Sequence, residues 1–205
     1  MENLVNIFIR STFIDNMIFA YFLGMCSYLA VSKTVKTSLG LGVAVAFVLL
    51  VTVPVNYAIN AYLLSPGALA WLFEGGAAVD LGYLSFIIFI AVVAAVVQLL
   101  EMIVEKYTPA LYNQLGIFLP LIAVNCAIMG ASLFMQERAY ASLAEATSFA
   151  LGSGAGWLLA IAGVAAIREK LAYSNIPAPL RGAGITFILT GLMAISFMSF
   201  LGISI

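Results

Sequence analysis

The sequence contains no histidine, only two cysteines, and few charges: eight Lys and Arg and nine Asp and Glu among 205 residues. The missing histidine excludes imidazole acid–base chemistry, a His-ligated haem and a Cys/His zinc site within this chain. Cys26 and Cys126 are too few for a secreted disulfide framework, and neither sits in a Cys-x-x-Cys pair. Charged residues make up 8% of the chain, against about 25% in an ordinary soluble domain. That supply cannot coat a globule of this size, so lipid must replace water as the main solvent for the side chains. A formal net charge of −1 and the lack of a basic run leave no electrostatic basis for nucleic-acid binding. What is abundant is apolar: 64% of residues are hydrophobic, which excludes disorder.

A helix crosses the hydrocarbon core with about 20 apolar residues. Uncharged runs over residues 39–64, 81–100, 115–135, 148–167 and 182–205 each suffice. A sixth, 17–32, has only sixteen residues and reaches full length by taking in Arg10, Asp15 and Asn16. The opening Met-Glu-Asn-Leu-Val-Asn lacks a basic region and cleavage site, so this first span is expected to persist in the mature protein. Lys33, Lys36, Lys106, Arg168, Lys170 and Arg181 fall in the connections after spans one, three and five, whereas Arg10 and Arg138 fall on the opposite side. The positive-inside rule makes the richer side cytoplasmic and puts both termini outside. Residues 65–80, with Pro66, Gly67, Gly75, Gly76, Trp71 and Phe73, read as a short interfacial loop.

The chain also resembles itself. Cys26 to Ser32 lies over Cys126 to Ser132, Leu39-Gly40-Leu41-Gly42 over Leu151-Gly152-Ser153-Gly154, and Ser85 to Ile88 over Thr186 to Leu189. Three spans per half is an odd number, so the halves enter the membrane from opposite faces. The expected fold is therefore an all-α polytopic membrane protein: six transmembrane helices as two inverted three-helix repeats, 1–105 and 106–205, with interrupted first and fourth helices, forming one membrane domain. Such folds place sites at the midplane on discontinuous helices. Spans one and four fit, because Gly24 precedes Cys26, while Gly116, Pro120 and Gly130 surround Cys126. Asn16 and Asn125 add amides that hydrocarbon does not tolerate unsatisfied.

A lone Cys in an apolar helix is commonly a small buried hydrophobe. Two at matched repeat positions, with no others, make Cys26 and Cys126 candidate ligands for a soft metal centre: iron–sulfur, Cu(I) or zinc. A [2Fe–2S] cluster needs four ligands. This chain offers two, so half a site implies a second copy or a similar chain bringing two more. The competing reading is a Cys26–Cys126 disulfide, which needs Cα atoms within about 7 Å.

Other features are weaker. Glu101, with Gln98 one turn earlier, either marks a helix end or belongs to an ion path. The Leu-Gly-x-Gly motifs, with Gly152 and Gly156 spaced as Gly-x-x-x-Gly, read as close helix packing. They are not a nucleotide fingerprint, because no strand precedes them. Ser153-Gly154-Ala155-Gly156 lacks the acceptor Thr of a flavin-attachment motif, so no flavin is expected on this chain. Arg168-Glu169-Lys170 and Arg181, around Pro177 and Pro179, form a charged connection suited to topology, lipid headgroups or docking.

Phe22-Leu23-Gly24-Met25-Cys26, Val31-Ser32-Lys33, Leu115-Gly116-Ile117-Phe118-Leu119-Pro120-Leu121-Ile122, Asn125-Cys126, Ile167-Arg168-Glu169-Lys170 and Pro179-Leu180-Arg181-Gly182 resemble one membrane family over nearly the whole chain. It contains the D-type and E-type components of Nqr, the sodium-translocating NADH:quinone oxidoreductase, and the A-type and E-type components of Rnf. Val53-Pro54-Val55-Asn56 and the 65–80 loop resemble the E-type branch of Nqr more than the A-type branch of Rnf. The resemblance implies one membrane component of a bacterial inner-membrane translocase, not catalytic alone and with no catalytic residue. It implies pairing with the homologous D-type component of Nqr in opposite orientation, and a [2Fe–2S] or iron centre shared between them. Cys26 and Cys126 match the family's cofactor-binding, metal-ligating positions, and the D-type partner supplies two further Cys. Electrons would pass between flavins on opposite sides, coupled to sodium export, with NADH and ubiquinone sites on other components of the complex. Part of a secondary transporter or channel is the alternative the inverted repeat leaves open.

Overall fold

The computed structural model describes residues 4–64, 82–107 and 122–202. The loop expected over 65–80, the first part of the fourth span with Gly116 and Pro120, and the end of the sixth lie outside the described residues. Among the described residues all regular structure is helical. Helix α1 (Leu4–Ile9) runs into a π-turn, Arg10–Ile14, and stops. Helix α2 (Met25–Val31) follows, and then α3 (Val35–Ile59), which ends in a second π-turn, Asn60–Leu64. A 3-10 turn, Gly82–Leu84, leads into α4 (Ser85–Tyr107). Helices α5 (Cys126–Glu137), α6 (Leu143–Leu171) and α7 (Ala183–Met198) complete the set.

Among the described residues three helices are long and apolar enough to span a bilayer: Val35–Leu64 (30 residues), Gly82–Tyr107 (26) and Leu143–Leu171 (29). Leu4–Ile14 and Ala183–Met198 are apolar but shorter. The expected runs 39–64 and 148–167 lie inside two of the long helices, and residues 82–100 of the run 81–100 lie inside the third, each helix continuing several residues further. Helix α4 continues six residues past Glu101, through Glu105 and Lys106, so that carboxylate does not mark the helix end. An α-helix satisfies its own backbone and can continue from lipid into water, so loss of hydropathy does not end it.

The first apolar run is not one helix. The Asp15 N–H bonds back to the Arg10 carbonyl at 2.8 Å, closing the π-turn, and the Asn16 side chain then takes over backbone groups. Asn16 Oδ1 accepts from the N–H of Ile18 (3.0 Å) and Phe19 (3.4 Å), while Nδ2 donates to the carbonyls of Thr12 (3.0 Å) and Gly156 (2.9 Å). An amide that captures the next N–H groups this way offers the backbone a turn in place of the helix. Residues 15–24 are accordingly irregular, with Met17, Ile18 and Phe19 buried and Tyr21 and Phe22 exposed.

The core is built on α3 and α6, which cross antiparallel through their glycines. A Cβ on Gly42 would run into Leu158, and one on Gly154 would come 3.0 Å from Ala46. When the Leu-Gly-x-Gly motifs are superposed, Gly42 lies over Gly154 and Ala46 over Leu158, so each contact is the other with the two helices exchanged. Gly152 and Gly156 of α6 receive α1 and the turn that follows it. A Cβ on Gly152 would stand 2.6 Å from the Phe8 carbonyl oxygen, and one on Gly156 would stand 2.8 Å from both Asn16 Nδ2 and the Thr12 carbonyl. The Thr12 hydroxyl donates to the Gly152 carbonyl at 3.1 Å. The expected Gly-x-x-x-Gly packing is thus present, with α1 as its partner.

Gly156→Val is expected to lower stability by about 2–4 kcal/mol, overpacking (about 1–3) adding to the lost Asn16 bond (about 1). Thermal unfolding in detergent measures it against Gly191→Ala, where nothing lies within 4 Å of the new Cβ. Equal midpoints would mean that α1 does not rest on this face.

Candidate functional site

Helices α2 and α5 are short and begin at corresponding places: Cys26 is the second residue of α2 and Cys126 the first of α5. Gly24 starts α2 with φ +83°, a left-handed conformation that favours glycine. Asn125 starts α5 as a side-chain cap, its Oδ1 accepting the Ala127 N–H at 3.0 Å. The two starts touch. Gly24 N–H donates to Cys126 Sγ at 3.0 Å, and Asn125 Nδ2 donates to Ser27 Oγ at 3.3 Å. A Cβ at Gly24 would lie 2.8 Å from Trp157 Nε1, 2.9 Å from Asn125 Oδ1 and 3.1 Å from the Ala127 Cβ. Close approach and positive φ therefore both demand glycine there.

Both thiols are free and both are exposed on the surface of the chain. No disulfide joins them, so that reading of the pair does not describe this structure. Phe22 and Val124, beside the two helix starts, are also exposed, 53% and 73%. Among the described residues no cluster of three or more His, Cys, Asp and Glu exists that could hold a metal on its own.

The end of α2 and the middle of α5 are held across the fold. Arg168 Nη1, from α6, donates to the Leu29 carbonyl (3.1 Å) and Ser32 Oγ (2.6 Å), satisfying the last turn of α2. Asn56 Nδ2, from α3, donates to Ser132 Oγ at 2.8 Å on α5. Ser32 superposes on Ser132 in the cysteine alignment, and Arg168 on Asn56 in the glycine alignment. The two bonds are again one contact with the halves exchanged, charged in one case and neutral in the other.

At the other end of the first break Asp15 collects both cations of the sparse side. Its Oδ2 accepts from Arg138 Nη2 at 2.8 Å and Arg10 Nε at 3.2 Å, and Oδ1 accepts from the Tyr21 hydroxyl at 3.4 Å. The Arg138 guanidinium also lies 5.3 Å from the centre of the Phe149 ring. Residue-by-residue reading did not anticipate this carboxylate, nor Trp157, which is fully buried with no partner for Nε1. A tryptophan in mid-span, carrying a donor that needs an acceptor, was the available signal for the second.

A family described as "Rnf-Nqr subunit, membrane protein" matches residues 4–204. The chain belongs to this family. Among its relatives, the E-type component of the Na(+)-translocating NADH-quinone reductase from Psychromonas ingrahamii is 60% identical over 205 residues, all of both chains. The protein of that name from Maridesulfovibrio salexigens is 59% identical over 203 residues, 99% of each. That from Pseudomonas aeruginosa is 55% identical over 205 residues, all of both. Three of the stretches that resemble the Rnf-Nqr family fall on the site: 22–26 ends the break and starts α2, Asn125 and Cys126 start α5, and 167–170 carries the arginine that holds α2.

Proposed function

We propose that this Rnf-Nqr protein is the E-type component of a sodium-translocating NADH:quinone reductase, and that Cys26 and Cys126 are half the ligands of an intramembrane [2Fe–2S] centre. The observation that carries the reading is the Gly24 N–H to Cys126 Sγ contact, which sets the start of α2, two residues before Cys26, against the start of α5. The donor set fits half of such a group: two free, exposed thiols, one already receiving a backbone N–H of the kind that stabilises cluster sulfur. It does not fit a whole one.

The remaining two thiolates come from a homologous membrane protein, the D-type component of the same reductase, inserted with opposite orientation. Exposure supports that partner, because irregular backbone at membrane depth persists only where protein or a water-filled cavity covers it. Residues 20–22 and both cysteines are on the chain's surface. The reciprocal contacts, Gly42–Leu158 with Ala46–Gly154 and Ser32–Arg168 with Asn56–Ser132, support two inverted halves, 1–105 and 106–205, and six spans. The cation-rich ends face the cytoplasm and both termini face the periplasm.

Bound between the two proteins, the centre supplies one-electron transfer between flavins on opposite sides of the membrane. The chain's own residues orient Cys126 through Asn125 and Gly24, tie down the end of α2 through Arg168 and the middle of α5 through Asn56, and close the site toward the interior with Trp157. The coupling to sodium export follows the name its relatives carry. Iron analysis of the purified complex, with visible and electron paramagnetic resonance spectra after reduction, tests the reading. A [2Fe–2S] signal that disappears in Cys26→Ser supports it, and an iron-free wild-type site with a normal flavin complement overturns it.

A further inference from the structure

Cavities lined by charged side chains open on the described surface. The one of about 450 Å³ is lined by Arg10 and Arg138, which Asp15 already engages, and the one of about 220 Å³ includes Asp15 itself. The third, about 330 Å³, lies between the end of α6 and the start of α7. Two cations, Arg168 and Arg181, line it, and no acidic residue does. Arg168 is held in place through Nη1 by α2, which keeps its planar guanidinium fixed at the cavity wall. Arg181 has no acidic or hydrogen-bonding partner among the described residues. Beyond its own chain neighbours, no atom of the described residues lies within 4 Å of the point where a Cβ on Gly182 would stand, so the mouth has room there.

The cavity continues into an apolar stripe. Ile185 lines it, and Ile188, Leu192 and Ile195 follow at helical spacing on the same face of α7, exposed 46%, 57% and 67%. A free phosphate would use the arginines and ignore the stripe. A phospholipid would use both, with its phosphate on the paired guanidiniums and an acyl chain along α7.

We propose that this cavity is a binding site for an anionic phospholipid of the leaflet on the cation-rich side. Planar guanidinium forks match phosphate oxygens, and basic pockets between helices at the membrane boundary take anionic headgroups. The site is separate from the paired cysteines and rests only on the chain's residence in a bilayer, so it stands or falls independently of the iron centre.

Native mass spectrometry of the full chain in detergent, titrated with phosphatidylglycerol or with phosphatidylcholine of the same acyl chains, tests it. The wild type is expected to bind phosphatidylglycerol more tightly, and Arg181→Gln to weaken that binding about fivefold while leaving phosphatidylcholine unchanged. Ile188→Ser is expected to weaken both lipids, and inorganic phosphate at equal concentration to displace neither. Equal affinity for the two lipids, wild-type phosphatidylglycerol binding in Arg181→Gln, indifference to Ile188→Ser, or displacement by inorganic phosphate would each overturn the proposal.

Discussion

Cys126→Ala, introduced into the assembled complex, is expected to leave flavin reduction by NADH intact while quinone reduction falls to background. Alanine keeps the helix start, since Asn125 still caps α5 through the Ala127 N–H. What disappears is a soft sulfur that accepts the Gly24 N–H, and beyond Cys26, itself half of the pair, the chain has no Cys or His to replace it. Cys26→Ala is expected to give the same block from the other half. Stopped-flow spectra separate the two ends of the chain of carriers: the early flavin signal should develop at the wild-type rate and the late one should not develop. Normal quinone reduction in both variants would return the cysteines to the status of small apolar side chains.

The second large effect is expected at Gly24. Gly24→Ala must place a Cβ on a residue at φ +83° and within 2.8–3.1 Å of Trp157, Asn125 and Ala127. The left-handed conformation costs about 1–2 kcal/mol and the overlap about 1–3 more, so a loss of about 2–5 kcal/mol is expected in thermal unfolding of the purified chain. Trp157→Phe in the same background removes the nearest atom, Nε1, and should recover part of the overlap while leaving the cost of positive φ. Iron content should fall with Gly24→Ala alone, because the displaced backbone no longer directs its N–H at Cys126. A variant as stable as the wild type would show that the two helix starts are not in contact.

Much of this arrangement is legible in the residues because it is local or repeated. Gly24 and Asn16 announce a break through chemistry that acts within a few residues of themselves, and glycines at fixed spacing announce close packing whatever the partner. The matched cysteines were visible because a duplicated pattern can be compared with itself. What escaped depends on partners far apart in sequence. Nothing near Arg168 indicates that its guanidinium reaches back to Leu29 and Ser32, and nothing near Asp15 indicates that it gathers Arg138 as well as Arg10. The first run was legible as interrupted, but not where it stops: apolar content speaks to lipid, whereas the Asn16 amide decides where the helix ends.

The bond from Arg168 to Ser32 also has a meaning in time. Its partners are 136 residues apart, and Cys126 stands 102 residues from the Gly24 N–H it receives. At synthesis rates of about 5–20 residues per second, α2 waits roughly 7–27 seconds for the arginine that ties down its end. Throughout that interval the nascent first half holds an irregular segment and an unsupported helix, so correct assembly depends on whatever shields that segment until the rest of the chain emerges.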